Sequence, residues 1–519
     1  MTSRRTIWMR HGTFALLLVV LLMAQGGCAF RDAAVVDSNQ HVPSFSYSGD
    51  VPVPDLWWTA FQDWGLNGQI DQAMQKNYTL VAAFERLHAA RALTRREASD
   101  LWPDVDGFSE MNSTILTDGP NRSNYAFGVD VSYQVDLWGQ IESRVDAQNF
   151  RATATQEDYY ALALTLSAEV ATTYYSLIEA RAQLELLEEQ IETTETGAEL
   201  QQARFELGQI RSADLLRQRQ LVQSTLEQAV VVRARIEVLE HLLAVLQGLP
   251  PQQLTYVTGS TLPELPPLPE TGIASELLNR RPDVRRDFFL IQAANQDLAS
   301  AITSQYPRLN LFGTLTTAAE NPDQIFRDWI LLLGGSLVGP IFDGGERRAE
   351  VDRTDAIAQQ RLAEYSQTVL IAYQEVEDAL AREHYQLERI DRLNEQLKLA
   401  HQSSIQLREQ YLIGEVDYLD VLSAITGEQR LQRDVLSSRL ELILNRISLY
   451  LALAGGVDPC PPVQRYAEIP MTAEIPIPTE VLEPGEELEP VEEFEPEEIP
   501  LPVDVPLPIE IPSWSPANE

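Results

Sequence analysis

The chain has 519 residues, with 77 Asp and Glu against 39 Lys and Arg, 44% hydrophobic residues and a formal net charge of −38. This acidity argues against a nucleic-acid partner, because phosphate recognition needs clustered Lys and Arg. Two cysteines, Cys28 and Cys460, are too few for a disulfide framework or a cysteine zinc site. The charge is unevenly distributed: +3 over residues 1–28, −26 over 29–457 and −15 over 458–519.

Residues 1–28 read as an export signal. Arg4, Arg5 and Arg10 precede an apolar run from Phe14 to Met23, which is too short to span a bilayer as a helix. Gly26-Gly27-Cys28 then resembles a bacterial lipoprotein cleavage site, with Cys28 as the lipidated N-terminus. Gln25 departs from that pattern, and an ordinary signal cut near Ala24–Ala29 is the alternative. Ala29 is not the Asp that retains lipoproteins at the inner membrane, which favours the outer membrane.

Residues 29–249 form a first structural unit, with strands expected over about 105–136. Tyr125, Phe127, Val129, Val131, Tyr133 and Val135 alternate with small or polar residues, a period-two strand. Residues 105–116 give a weaker pattern, broken by Phe108. Residues 140–206 contain no proline and carry apolar residues at spacings of three and four (Leu162, Leu166, Val170, Tyr174, Leu177). At 1.5 Å per residue such a helix is about 100 Å long, and rods of that length must pack along one another as coiled coil. A returning helix is expected over 213–248. The Pro-rich stretch 250–272 reads as a linker without helix.

Residues 273–457 repeat the first unit: strands within 308–342, including 330–342, then helices over 346–411 and 419–453. Phe205 to Leu216 matches Tyr411 to Leu422, and Leu101-Trp102-Pro103 pairs with Gln305-Tyr306-Pro307. Asp136-Leu-Trp-Gly139 pairs with Ile341-Phe-Asp-Gly-Gly345. The strands have the length of tilted transmembrane β-strands. A soluble sandwich would alternate in the same way, and the export signal and the rods favour a barrel. Residues 458–519 hold 15 of the 30 prolines among repeated glutamates, the composition of an extended, disordered tail.

The twice-repeated order of these motifs over about residues 55–457 resembles the TolC-like outer-membrane efflux proteins, specifically their lipoprotein branch. The resemblance implies an α+β membrane protein: a duplicated β-hairpin with very long coiled-coil helices. It also implies a homotrimer closing a 12-stranded β-barrel in outer-membrane lipid and a periplasmic α-helical barrel. The implied function is a passive exit duct for small molecules, driven by an inner-membrane pump through a periplasmic adaptor protein, with no cofactor. The chain carries no nucleotide loop.

In this family the duct narrows just after the glycine turn of the second repeat, at two acidic positions six and nine residues beyond it. Here they are Asp420 and Ser423, counted from Gly414, so the second acid is missing. A ring of Asp420 carboxylates would favour cations, and Leu419 would add an apolar constriction. Asp214, the first-repeat equivalent, reads rather as a helix N-terminal acid, although a gate role is kept open. Tyr411 and Arg217 are candidate partners in closing the gate. Gly208 and Gly414 mark the turns expected to touch the adaptor.

Six histidines form no metal-ligand pair, the methionines are scattered, and no Gly-x-Ser-x-Gly elbow is present, so neither a metal site nor an enzyme is expected. A non-conducting periplasmic coiled-coil scaffold and a type I protein-secretion duct are the competing functions. The period-two strand argues against the scaffold, and Cys28 against the secretion duct.

Overall fold

A computed structural model of the chain describes residues 45–54, 56–115, 122–251, 259–272 and 274–454. The export signal with Cys28, part of the linker and the acidic tail lie outside the described residues. The elements run α1 (Trp64–Lys76), α2 (Tyr78–Ser99), β1 (Asp104–Thr114), β2 (Arg122–Val135), α3 (Gln140–Glu206) and α4 (Ser212–Leu246). They continue with α5 (Ala274–Arg280), α6 (Pro282–Thr303), β3 (Arg308–Ala319), β4 (Trp329–Val338), α7 (Glu346–Leu412) and α8 (Tyr418–Ala452). Among the described residues no helix is long and apolar enough to cross a membrane.

The duplication holds position by position. Adding 204 carries α2 onto α6 and the first residue of β1 onto that of β3; adding 206 carries α3 onto α7 and α4 onto α8. The paired registers extend the second offset to β2 and β4.

Helix ends follow local chemistry. Asp63 and Asn77 cap α1 and α2 by accepting from the amides two and three residues on. Asp136 accepts from Gln140 N at 2.7 Å and Glu142 N at 2.8 Å, which satisfies orphan amides at the start of α3. In the second repeat Asp343 does the same for Gly345 N and binds Arg347 Nη1 at 3.0 Å. The Asp and Gly of both junction motifs are thus capping residues. Gly139 and Gly345 supply left-handed backbone (φ 71° and 93°).

Some boundaries differ from the sequence reading. β4 stops at Val338 instead of 342, because Gly339 and Pro340 follow and proline offers no ladder amide. β1 starts at Asp104 and ends at Thr114. α4 ends at Leu246 instead of 248, since Gly248 turns left-handed (φ 70°). α7 runs one residue further, to Leu412, and α8 spans Tyr418–Ala452 instead of 419–453.

The four strands form one antiparallel sheet in the order β1-β2-β3-β4, so β1 and β4 are its edges. Val129 stands opposite Leu315, and Leu315 opposite Leu331. By strand alternation the odd positions Tyr125 to Val135, Leu309 to Leu315, and Leu331, Leu333 and Leu337 share one apolar face. The other face carries Asp104, Asp106, Glu110, Asp130, Gln134, Asn310 and Ser336.

The two long helices pack against their returning partners, α3 on α4 and α7 on α8, while α6 lies against both α3 and α7. The main core sits at mid-length of α3. There Trp57, Phe61, Leu66, Ile70, Tyr175, Leu177 and Tyr450 are buried together. Trp57 stacks on Tyr450 at 5.8 Å and donates its Nε1 to Ser167 Oγ at 2.9 Å. A second cluster joins α5, α6, α7 and the end of α8 through Leu277, Val284, Val376, Leu380 and Leu449. Arg446 of α8 lies between α7 and the linker: it binds Glu383 bidentately (2.6 and 2.8 Å) and donates to the carbonyls of Pro266 and Pro267.

Candidate functional site

The two hairpin tips are built alike. α3 ends with Gly208 at φ 71°, its amide donating to Phe205 O at 2.9 Å and that of Gln209 to Arg204 O at 2.9 Å. α7 ends with Gly414 at φ 82°, with Gly414 N to Tyr411 O at 3.1 Å and Glu415 N to Gln410 O at 2.9 Å. This paired bonding with a left-handed residue closes the last carbonyls and reverses the chain. Leu207 and Ile413 stay exposed beside the turns (71% and 72%). Arg211 and Asp417, equivalent to each other by position, form an ion pair at 3.6 Å between the tips, both well exposed.

Beyond the turns the repeats diverge. Asp214 is buried and lies 3.5 Å from both Arg211 and Arg217, so its carboxylate is held inside its own hairpin. Asp420 is exposed on α8, together with Leu419 and Ser423, whereas Tyr418, Val421 and Leu422 of the same turns are buried. One helix face therefore packs inward while Leu419, Asp420 and Ser423 face outward. Among the described residues, Arg217 bonds to Asp214, and Tyr411 packs at a tilt against Tyr418 (ring centroids 5.1 Å) beneath the Arg204 guanidinium. Within one protomer neither meets Asp420. Cys28 lies outside the described residues.

A polar lock behind the exposed face was not read from the sequence. Tyr418 is buried and donates its hydroxyl to Gln218 Oε1 at 2.6 Å; Gln218 in turn donates to Thr194 O at 2.6 Å. Burial raises the Tyr418 pKa, so the phenol is a neutral donor at physiological pH. Three helices, α3, α4 and α8, are thereby tied just behind Asp420. The signal was a large aromatic at the first position of α8 where the other repeat has Ser212.

The same polar character continues along α3 and α8. Gln183 donates to Arg433 O at 3.0 Å, and Arg433 donates to Gln190 Oε1 at 2.6 Å. Two turns behind Asp420, Glu428 is buried against α7, with His401 Nδ1 2.6 Å away and the Ser404 hydroxyl donating to it. Burial alone would raise the Glu428 pKa. The bonds from Ser404 and His401, with the charge of Arg408, outweigh it and lower the pKa. Among the described residues no cluster of side chains has the makings of a metal site.

An apolar-faced sheet with a polar reverse, joined to rods of about 100 Å that end in paired tips, is the architecture of a channel-forming outer-membrane protein. The chain belongs to the outer membrane efflux protein family, which it matches over residues 69–248 and 273–455. It is 28% identical over 420 residues to the pyoverdine export outer membrane protein OpmQ of Pseudomonas putida, covering 78% of this chain and 89% of that protein. It is 25% identical over 410 residues to the cation efflux system protein CusC of Escherichia coli K12, covering 77% and 88%. The solved outer-membrane channel OprN superposes with a TM-score of 0.75 at 27% identity, over 80% of this chain and 97% of that one. The protein is an outer-membrane channel component of an efflux system.

Proposed function

We propose that three copies of the chain close one passive exit duct. Each copy contributes four strands to a 12-stranded barrel in outer-membrane lipid, and the α3–α4 and α7–α8 hairpins build the periplasmic tube. The single observation that carries this reading is the sheet itself. One apolar face is exposed, the other bears carboxylates, and among the described residues both edges are unpaired. Unpaired edges cannot sit in hydrocarbon, and closure into a barrel removes them.

In that assembly Asp420 gates the tube, with Leu419 beside it and Ser423 weakening the anion barrier. The tips at Gly208 and Gly414 receive a periplasmic adaptor, an inner-membrane pump supplies the energy, and Cys28 carries the lipid. Relatives named for pyoverdine export and for cation efflux differ in cargo, which fits a duct whose cargo is set by its pump. Purified protein in planar bilayers should form channels that open more often in Asp420→Ala. If neither form conducts, the duct reading fails and a coiled-coil scaffold replaces it.

A further inference from the structure

Asp420 begins a longer outward stripe on α8. From Ser423 the stripe continues at steps of three and four through Gly427, Arg430, Asp434, Ser437 and Glu441. Asp434 is half-exposed and the others are exposed, while Glu428, Gln429, Val435 and Ser438 on the opposite side of the helix are buried. Most of the stripe is small and neutral. Its one cation is Arg430, whose side chain is 80% exposed. Glu441 is already engaged, by Arg389 at 2.7 Å and Gln386 at 3.1 Å.

The Arg430 guanidinium is free to take a ligand. Its Nε lies 3.8 Å from Asp434, a solvated pair that contributes little. Among the described residues no hydrogen bond engages its donors. Helical side chains lean towards the helix N-terminus, so Arg430 leans back towards Gly427 and the tip. There the way is open: a Cβ at Gly427 would meet nothing within 4 Å. The first repeat has no such group, because the positions equivalent to Gly427, Arg430 and Asp434 are Leu221, Ser224 and Gln228.

We propose that Arg430 is an anion-holding site inside the duct, which takes small organic carboxylates once they have passed Asp420. A guanidinium presents a planar fork of N–H donors that matches a carboxylate with two parallel hydrogen bonds. Ten residues of helix place Arg430 about 15 Å along the tube from Asp420. That exceeds the Debye length of about 8 Å at physiological ionic strength, so the two charges act separately. Ser423, standing where a second acid would be, leaves the interval between them uncharged. In a trimer the sequence met from the tip is then three carboxylates, a neutral gap and three guanidinium groups. The acid sets the cation preference of the mouth, and the arginine gives an anionic cargo a foothold behind it.

The inference rests on the duct proposed above, with Asp420 facing its lumen. The probe is citrate, added to purified protein in planar bilayers, with Asp420→Ala as the freely opening background. Citrate should interrupt the current, and adding Arg430→Gln should raise its half-blocking concentration about fivefold, the upper end for one exposed ion pair. Arg430→Lys keeps the charge but not the fork, so it should keep the zero-current potential in a KCl gradient and still lose most of the block. With Asp420 intact, Arg430→Gln should move that potential away from zero, opposite in sign to Asp420→Ala. If Asp420→Ala moves the potential and Arg430→Gln changes neither potential nor block, the site is overturned and the duct stands. A shifted potential with unchanged citrate block reduces Arg430 to a point charge and also overturns the site. No conduction in any form overturns the duct, and the site with it.

Discussion

Arg446 is the one charged residue among the largest fully buried side chains of the described residues. It is 2% exposed and bound bidentately to Glu383, itself 4% exposed. It also holds the carbonyls of Pro266 and Pro267. Arg446→Met keeps most of the volume and removes the guanidinium. The Glu383 carboxylate is then buried without a cation, a loss of about 3–5 kcal/mol for a broken buried pair. The freed linker carbonyls add up to ~1–3 kcal/mol each if water cannot reach them. Replacing both partners, Arg446→Met with Glu383→Leu, removes the stranded charge and should recover all but the carbonyl share. The assay is denaturant unfolding in mild detergent, with thermolysin cleavage of the linker as the local readout. A single variant within about 1 kcal/mol of wild type, or a double variant no better than the single, would refute this reasoning.

Other expectations concern the tips. Gly414→Ala places a Cβ at φ 82°, a strain of about 1–2 kcal/mol, and should loosen the α7 end measurably in amide exchange of Tyr411 to Glu415. Tyr418→Phe leaves the Gln218 carbonyl without its donor and should cost about 1–3 kcal/mol; channel opening frequency in bilayers should rise, and an unchanged frequency would detach the lock from the gate. Glu428 has its pKa lowered below the ordinary 4.5, so it stabilises the fold above that value and the contribution is lost as pH falls through the depressed one. Glu428→Gln should therefore be less stable than wild type at neutral pH and converge with it in acid; parallel unfolding curves against pH would contradict this.

Much of the fold was legible because its signals are local. Six alternating apolar residues from Tyr125 to Val135 suffice for β2, since the lipid-facing side of a strand is written at every second position. The glycines ending α3 and α7 announced their turns because few other residues accept φ near 70–80°. β1 was harder to read, and the sheet shows why: Phe108 lies on the polar-bearing face, its ring over Gly128, as Phe312 lies over Gly334. The run Leu331-Leu332-Leu333 gave no alternation because Ile330 and Leu332 put apolar side chains on the second face of β4 as well.

What the sequence hid are contacts between distant positions. Asp214 and Asp420 occupy the same place in one motif, yet one is buried between two arginines and the other is exposed. That difference depends on what packs behind each helix. Likewise the Tyr418–Gln218–Thr194 lock joins three helices that no periodicity links. The Trp57–Tyr450 stack spans nearly the whole described chain.

Ion selectivity tests the central claim most directly. With purified protein in a planar bilayer under a KCl gradient, the zero-current potential should show preference for potassium over chloride, and Asp420→Ala should move it towards zero. A wild-type channel without cation preference, or an Asp420→Ala channel with the wild-type potential, would contradict Asp420 as the carboxylate gate of the duct.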